Sequence, residues 1–393
     1  MADAAWRWYV ALDGPELDGL LGACGLMRFD WPSKQLVYRY YDGVSAGHNP
    51  TVSPNGKTVL LGNFSQTILL IDGETLKELG RQSTMAFEQC DYRLRSNTHH
   101  LWYNDSKFVC AVGDHLYRFD LEDLANPERI GRHLLWNVHE LHWSHDKRYI
   151  IMGDLGPETS GARQVGIFDM QTGRPTVVRV PGTVWHVEAH ATKPLGYAAT
   201  YSFASEDDNY VEWSPSYTRE YIFEIDLTTG TILRHWSSSA QFPIHLNSDL
   251  EFYQDDKETK LYISSGGSHT VVEIDVNDFA TARVQTVVPG FWARLFMYRQ
   301  LKQNIQGAFL RRNPSTNYNY LLQTYLVTGK RFFDGIYCVR ASPDGKYLVA
   351  GNRGYNYIRV MDRKTLATVW DRQLPKLDDG LHLGMHHSAL VPG

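Results

Sequence analysis

Sixteen histidines are spread through this 393-residue chain, and six of them return at one place in a repeating pattern. His48 stands five residues before Ser53 of the turn SPNG, His99 five before Asn104, and His139 five before Ser144 of SHDK. His186 joins them when Leu195-Gly-Tyr is aligned on Arg148-Tyr-Ile, and His245 when EFYQDDKETK is read as a longer turn. His386 joins when HHSALVPG is laid over HNPTVSPNG, and Tyr337 holds the same place five residues before Ser342 of SPDG. Imidazoles that share one level of a closed structure can converge on a single ion. A set without carboxylate or thiolate suits a transition metal, iron first and then copper or zinc, and disfavours magnesium and calcium. The competing reading is that each histidine only hydrogen-bonds a neighbouring repeat.

The repeat supplies the elements that must position them. CVRASPDGKYLVAGNRGYNYIRVMD (338–362) is nearly copied in HNPTVSPNGKTVLLGNFSQTILLID (48–72), and more weakly at 139–154 and 186–200. Each unit reads as a short strand, a tight turn, a β-rich strand, a polar loop, and an alternating strand ending in an apolar residue and Asp. Pro in these turns fixes φ, while Asn, Asp and Gly tolerate positive φ. The strand ends recur at Asp30, Asp72, Asp120, Asp169, Asp226, Asp275 and Asp362. Most of the gaps run from 42 to 57 residues, the length of one four-stranded propeller blade. SPDGKYLVAGNRGYNYIRVMD resembles the YVTN family of β-propeller repeats, a resemblance that covers most of the chain and implies the fold rather than an activity.

The expectation is an all-β, seven-bladed propeller forming a single domain over 1–393. HHSALVPG would be the innermost strand of a blade completed by WRWYVAL (6–12), GLMRFD (25–30) and KQLVYRYY (34–41). Closing the ring with strands from both ends removes exposed sheet edges. Seven blades require an insertion in the 87-residue gap between Asp275 and Asp362, and residues 290–335 read as a helical hairpin over one channel mouth. The alternative is an eighth blade built around VTGK (327–330).

Other residues gain meaning from this frame. Tyr337 could hydrogen-bond a substrate and His190, two even steps beyond His186, could line the channel; these are the candidates for proton transfer. Trp292, Arg294, Phe296 and Arg299 in the insertion form part of a basic, aromatic island that could draw in an anionic substrate. Glu188 could orient an imidazole or sit solvated. His100 and His387 directly follow slot histidines, so strict alternation points them away, and His142 reads as structural.

Composition narrows the function. A net charge of −5 gives no basic surface for nucleic acid, no stretch is long enough to span a bilayer, and no secretory signal is evident at the first residues. Four separated cysteines without CxxC fit reduced thiols in a cytoplasmic protein. Phosphate-binding glycine loops, GxSxG, HExxH and CxxCH are absent from the sequence. Four histidines from separate blades around one ion would be similar in geometry to the carotenoid cleavage oxygenases, whose sequence signature is not found here. That resemblance implies a metal-dependent oxidoreductase acting on a small organic substrate, with dioxygen as the oxidant in that family's manner. The other reading is a propeller lyase, or a binding subunit without chemistry that meets a protein partner.

Overall fold

The computed structural model describes residues 4–13, 23–89, 97–154, 156, 162–201, 220–237, 247–266, 269–293, 335–376 and 383–393. The first strands are β1 (Trp6–Leu12), β2 (Ala23–Trp31) and β3 (Gln35–Ser45). Blade one comprises β4 (Gly47–Val52), β5 (Thr58–Asn63), β6 (Thr67–Asp72) and β7 (Glu78–Ser83). Blade two comprises β8 (His100–Trp102), β9 (Lys107–Val112), β10 (His115–Asp120) and β11 (Glu128–Gly131). Blade three is β12 (Val138–Trp143), β13 (Tyr149–Asp154), β14 (Gln164–Asp169) and β15 (Arg174–Arg179). Blade four is β16 (Thr183–Ala189), β17 (Leu195–Tyr201), β18 (Tyr221–Asp226) and β19 (Thr231–Ser237). Blade five is β20 (Asn247–Gln254), β21 (Thr259–Ser265), β22 (Thr270–Asp275) and β23 (Ala280–Thr286). Blade six is β24 (Ile336–Ala341), β25 (Tyr347–Asn352), β26 (Tyr357–Asp362) and β27 (Thr368–Gln373), and β28 (Met385–Pro392) follows.

Among the described residues these strands form seven four-stranded antiparallel sheets, the seventh in the order β28-β1-β2-β3. Trp6 pairs with Pro392 and Trp8 with Leu390, so the ring closes through strands from both ends of the sequence, as expected. The first strand of each sheet touches the first strand of the next all the way round, from β4 through β24 to β28 and back. The chain has the seven-bladed propeller fold. A helical turn at 290–293 leads into the expected insertion, of which 294–334 lie outside the described residues.

The turn chemistry repeats at atomic detail. Ser53, Ser144 and Ser342 each donate through Oγ to the Asn or Asp two residues on, and each Oγ accepts the backbone N–H five residues on. At the strand ends, the carboxylates of Asp72, Asp226 and Asp362 accept backbone N–H groups two or three residues later, at 2.7–2.8 Å. That short-range bond turns the chain towards the outermost strand, which explains the recurrent apolar–Asp pair.

Apolar clusters fill the spaces between neighbouring blades. The one beside the closure contains Trp6, Trp8, Val10, Leu12, Phe29 and Trp31 against Tyr347, Val349, Ile358 and Met385. Nearer the axis the blades crowd so closely that β5 and β13 each have no room for a side chain at one position. A Cβ on Gly62 would lie 1.7 Å from the carbonyl oxygen of Thr98, and one on Gly153 2.2 Å from that of Trp185.

Candidate metal centre

Those glycines sit opposite a feature that decides which side chains reach the axis. Gly47 pairs with Asn63 and Pro50 with Leu61, so His48 and Asn49 together oppose Gly62. Likewise His139 and Glu140 oppose Gly153, and His386 and His387 oppose Ala11. Each is a β-bulge, in which two residues face one and a side chain is re-aimed. Comparable shifts occur at Trp185 with His186, at Ser248 with Asp249, and at Tyr337 with Cys338. By this pairing His186 takes the place of Glu140 rather than that of His139, one residue later than the turn-based alignment gives. Strict alternation fails here, and His387 turns towards the axis instead of away.

Six imidazoles gather as a result. The His48 ring lies 5.0 Å from His99, 4.7 Å from His139, 4.4 Å from His386 and 4.8 Å from His387, centre to centre. His186 lies 5.6 Å from His139 and 5.0 Å from His387. All are buried except His386, which is half-buried against the half-buried Tyr337 ring at 4.9 Å. Arg353 lies over the other partner of that corner, 5.6 Å from the Tyr337 ring.

The polar contacts define which nitrogens are available. His139 Nδ1 is 3.1 Å from the Trp185 carbonyl oxygen, which can only accept, so the proton is on Nδ1 and Nε2 carries a lone pair. That Nε2 is 2.9 Å from His48 Nε2. His48 Nε2–H can donate to that lone pair, and two nitrogens each about 2.0–2.1 Å from a common ion would be about 2.9–3.3 Å apart, so a small opening would make them adjacent ligands. His48 Nδ1, His99 Nε2, His386 Nδ1 and both ring nitrogens of His387 are buried without a hydrogen-bond partner. Orphaned buried nitrogens cost stability unless something occupies the space between them. The donor atoms of His48, His99 and His387 lie within 4.8 Å of one another, as do those of Glu140, His186 and His387, and either group could hold a metal ion.

Electrostatics favours the ligand form. Burial, reinforced by the surrounding imidazoles, holds His48, His99, His386 and His387 below the ordinary histidine range, and His139 down to about 3. These rings are neutral at pH 7, with a lone pair free for a metal. Glu140, missed by the sequence reading, is the buried anion of the cluster. Burial alone would raise it, but hydrogen bonds from His142 and His186 and their charge hold it well below the usual carboxylate range. Its Oε2 accepts the Val187 N–H at 2.8 Å and faces His186 Nδ1 at 3.2 Å. Asp249 is the second unforeseen acid. It accepts from Arg340 at 2.6 Å and from the Val339 N–H at 3.0 Å, and lies 3.8 Å from His387 Nδ1.

His142 and Glu188 form a pair just outside, at 2.9 Å, and His142 also lies 3.5 Å from Glu140. Burial would lower His142, but Glu188 first and then Glu140 raise it to about 10. An unfolded histidine titrates near 6.5. The stabilisation from charged His142 is therefore complete below about 6.5 and is lost as pH rises through about 10. The gap in melting temperature between wild type and His142→Gln should be widest at pH 6 and narrow by pH 10.5; a constant gap would contradict this assignment.

The remaining candidates fall elsewhere. His190 packs tilted against Phe252 at 4.5 Å, just beyond the far end of β16, and its Nδ1 accepts the Thr192 N–H. His100 is buried against Phe108, away from the six. Trp292 is 77% exposed on the helical turn. His245, Arg294, Phe296 and Arg299 lie outside the described residues. Cys24, Cys110 and Cys338 are buried thiols whose burial raises them, which disfavours thiolate.

No family model matches the chain, and no curated protein does. Solved structures of similar course are numerous. One is described as dihydro-heme d1 dehydrogenase NirN in complex with DHE, with 13% identity and a TM-score of 0.52. The alignment covers 97% of this chain and 65% of that protein. The likeness shows the fold alone. The resemblance to YVTN repeats accordingly rests on the turn and strand motifs described above.

Proposed function

We propose that the protein is a metal-dependent oxidoreductase acting on a small organic substrate at the propeller axis. The observation that carries this is the convergence of six imidazoles from five blades, most of them buried, with the donor atoms of His48, His99 and His387 within 4.8 Å of one another. His48, His99 and His387 would hold the ion, with His139 Nε2 beside His48 as a further donor. An all-imidazole set suits iron, then copper or zinc. When bound, such an ion supplies a Lewis-acidic centre, and iron or copper a redox-active one.

The chain's own residues do the rest. The Trp185 carbonyl fixes the His139 tautomer, and Glu140 orients His186, as outer-shell partners of metal-binding histidines commonly do. Burial of the five innermost rings excludes water. Substrate would approach through the half-buried corner at His386 and Tyr337, where the phenol can hold or deliver a proton, beside Arg353, which is ion-paired with Asp13. A protein of similar fold is described as a dihydro-heme d1 dehydrogenase, and redox chemistry is the class that comparison suggests.

The test is to load the protein anaerobically with ferrous, cuprous or zinc ions and offer small phenols, thiols and carboxylates with dioxygen or a dye acceptor. Turnover should require iron or copper and fall with His139→Ala. Equal rates in loaded, chelated and His139→Ala protein would contradict the reading.

A further inference from the structure

A second group of ligating side chains lies in blade two, remote in sequence from most of the axial set. Asp114 sits in the two-residue hairpin between β9 and β10, and His115 opens β10. His133 follows β11, in a loop held to the hairpin by the Leu134 N–H donating to the Asp114 carbonyl at 3.0 Å. The two carboxylate oxygens of Asp114 are divided between the rings: Oδ1 is 2.7 Å from His115 Nδ1, and Oδ2 is 2.8 Å from His133 Nδ1. The rings are 4.8 Å apart, centre to centre. The three donors lie within 4.8 Å of one another.

His115 supplies the independent observation. Its side chain is fully buried, and its Nε2 has no hydrogen-bond partner. Yet Glu88 Oε1 lies 3.7 Å from that nitrogen, while Asp114 faces the opposite one. A neutral imidazole has one N–H, so it satisfies one of these carboxylates and turns a lone pair towards the other. A cation held at Nδ1 in place of its proton would leave the N–H on Nε2, directed at Glu88, whose carboxylate is also paired with Arg129. His133, by contrast, is 74% exposed, which leaves the group open to an ion from solvent.

We infer that Asp114, His115 and His133 form a second metal site, with Glu88 beside the outer nitrogen of His115 as its hydrogen-bond acceptor, and that its ion is zinc or a similar divalent transition metal. Two imidazoles with carboxylate oxygen are a common zinc donor set and a poor one for calcium or magnesium. Ligands at about 2.0–2.1 Å in a tetrahedron are about 3.3 Å apart, so the observed 2.7–2.8 Å contacts need only open by about half an ångström. The site would tie the 131–138 loop to the β9–β10 hairpin. The Val138 N–H, at the start of β12, donates to the Gly113 carbonyl at 2.9 Å, next to His139. A metal here therefore braces one wall of the axial cluster without belonging to it.

The experiment is a zinc titration of chelator-treated, full-length protein, with bound metal counted after equilibrium dialysis. Wild type should bind one zinc more than His133→Ala, a variant at an exposed position that leaves the core intact, and one more than Asp114→Asn. Cobalt substitution should give visible d–d bands that His133→Ala reduces. His48→Ala should keep this equivalent while losing the axial one, so failure of either site is read separately. Identical zinc stoichiometry in wild type and His133→Ala would overturn the inference, as would loss of this equivalent in His48→Ala alone.

Discussion

His48→Ala is expected to lower transition-metal affinity at the axis by at least about 100-fold. Loss of a residue that merely orients a ligand costs about 10–100-fold, and His48 is argued to be a ligand at the centre of the group. Its ring meets four other imidazoles, its Nε2 lies 2.9 Å from that of His139, and its Nδ1 has no partner. The side chain it replaces is buried, so a general loss of stability must be separated from loss of a ligand. His100→Leu provides the comparison, because His100 is equally buried but packs on Phe108. Competition with a chromophoric chelator should show near wild-type affinity for His100→Leu and a collapse for His48→Ala. Equal affinity in the two variants would show that His48 is a packing residue.

Removing residues 384–393 is expected to abolish cooperative folding. That deletion takes away β28, the innermost strand of the seventh sheet, and leaves β1 with an unpaired edge. It uncovers Trp8, Val10 and Leu12, which are fully buried, and removes Met385, also fully buried. Complete burial of one such side chain is worth about 1.5–3 kcal/mol. For these four the sum is about 6–12 kcal/mol, comparable with the about 5–15 kcal/mol net stability of a typical protein. The truncated chain should lose its thermal transition and aggregate through the exposed edge. An unchanged melting temperature would mean that the closure contributes little.

The fold was legible because its signals are local. A Ser whose hydroxyl bonds two and five residues ahead, and an Asp that caps the turn after its strand, leave fixed spacings in the sequence. The same spacing located His48, His99 and His139 at the axis, because the slot is counted from the turn. What alternation could not convey is the bulge. An extra residue in the innermost strand brings His386 and His387 inward together, moves His186 by one place, and leaves Glu140 beside the imidazoles. A signal for it does exist: small residues stand opposite the bulges, at Gly62, Gly153 and Ala11, and at the two glycines the neighbouring inner strand leaves no room for a Cβ. Asp249 and Glu88 were not legible, since their partners Arg340 and His115 are brought to them only by the closed ring and by loop packing.

Metal content of the untagged protein, purified without chelators and measured by elemental analysis, tests the central claim most directly. The account predicts iron, copper or zinc retained at one axial ion per chain, lost in His48→Ala and kept in His133→Ala. Protein isolated without metal, and taking up none when ferrous, cuprous or zinc ions are added anaerobically, would contradict it.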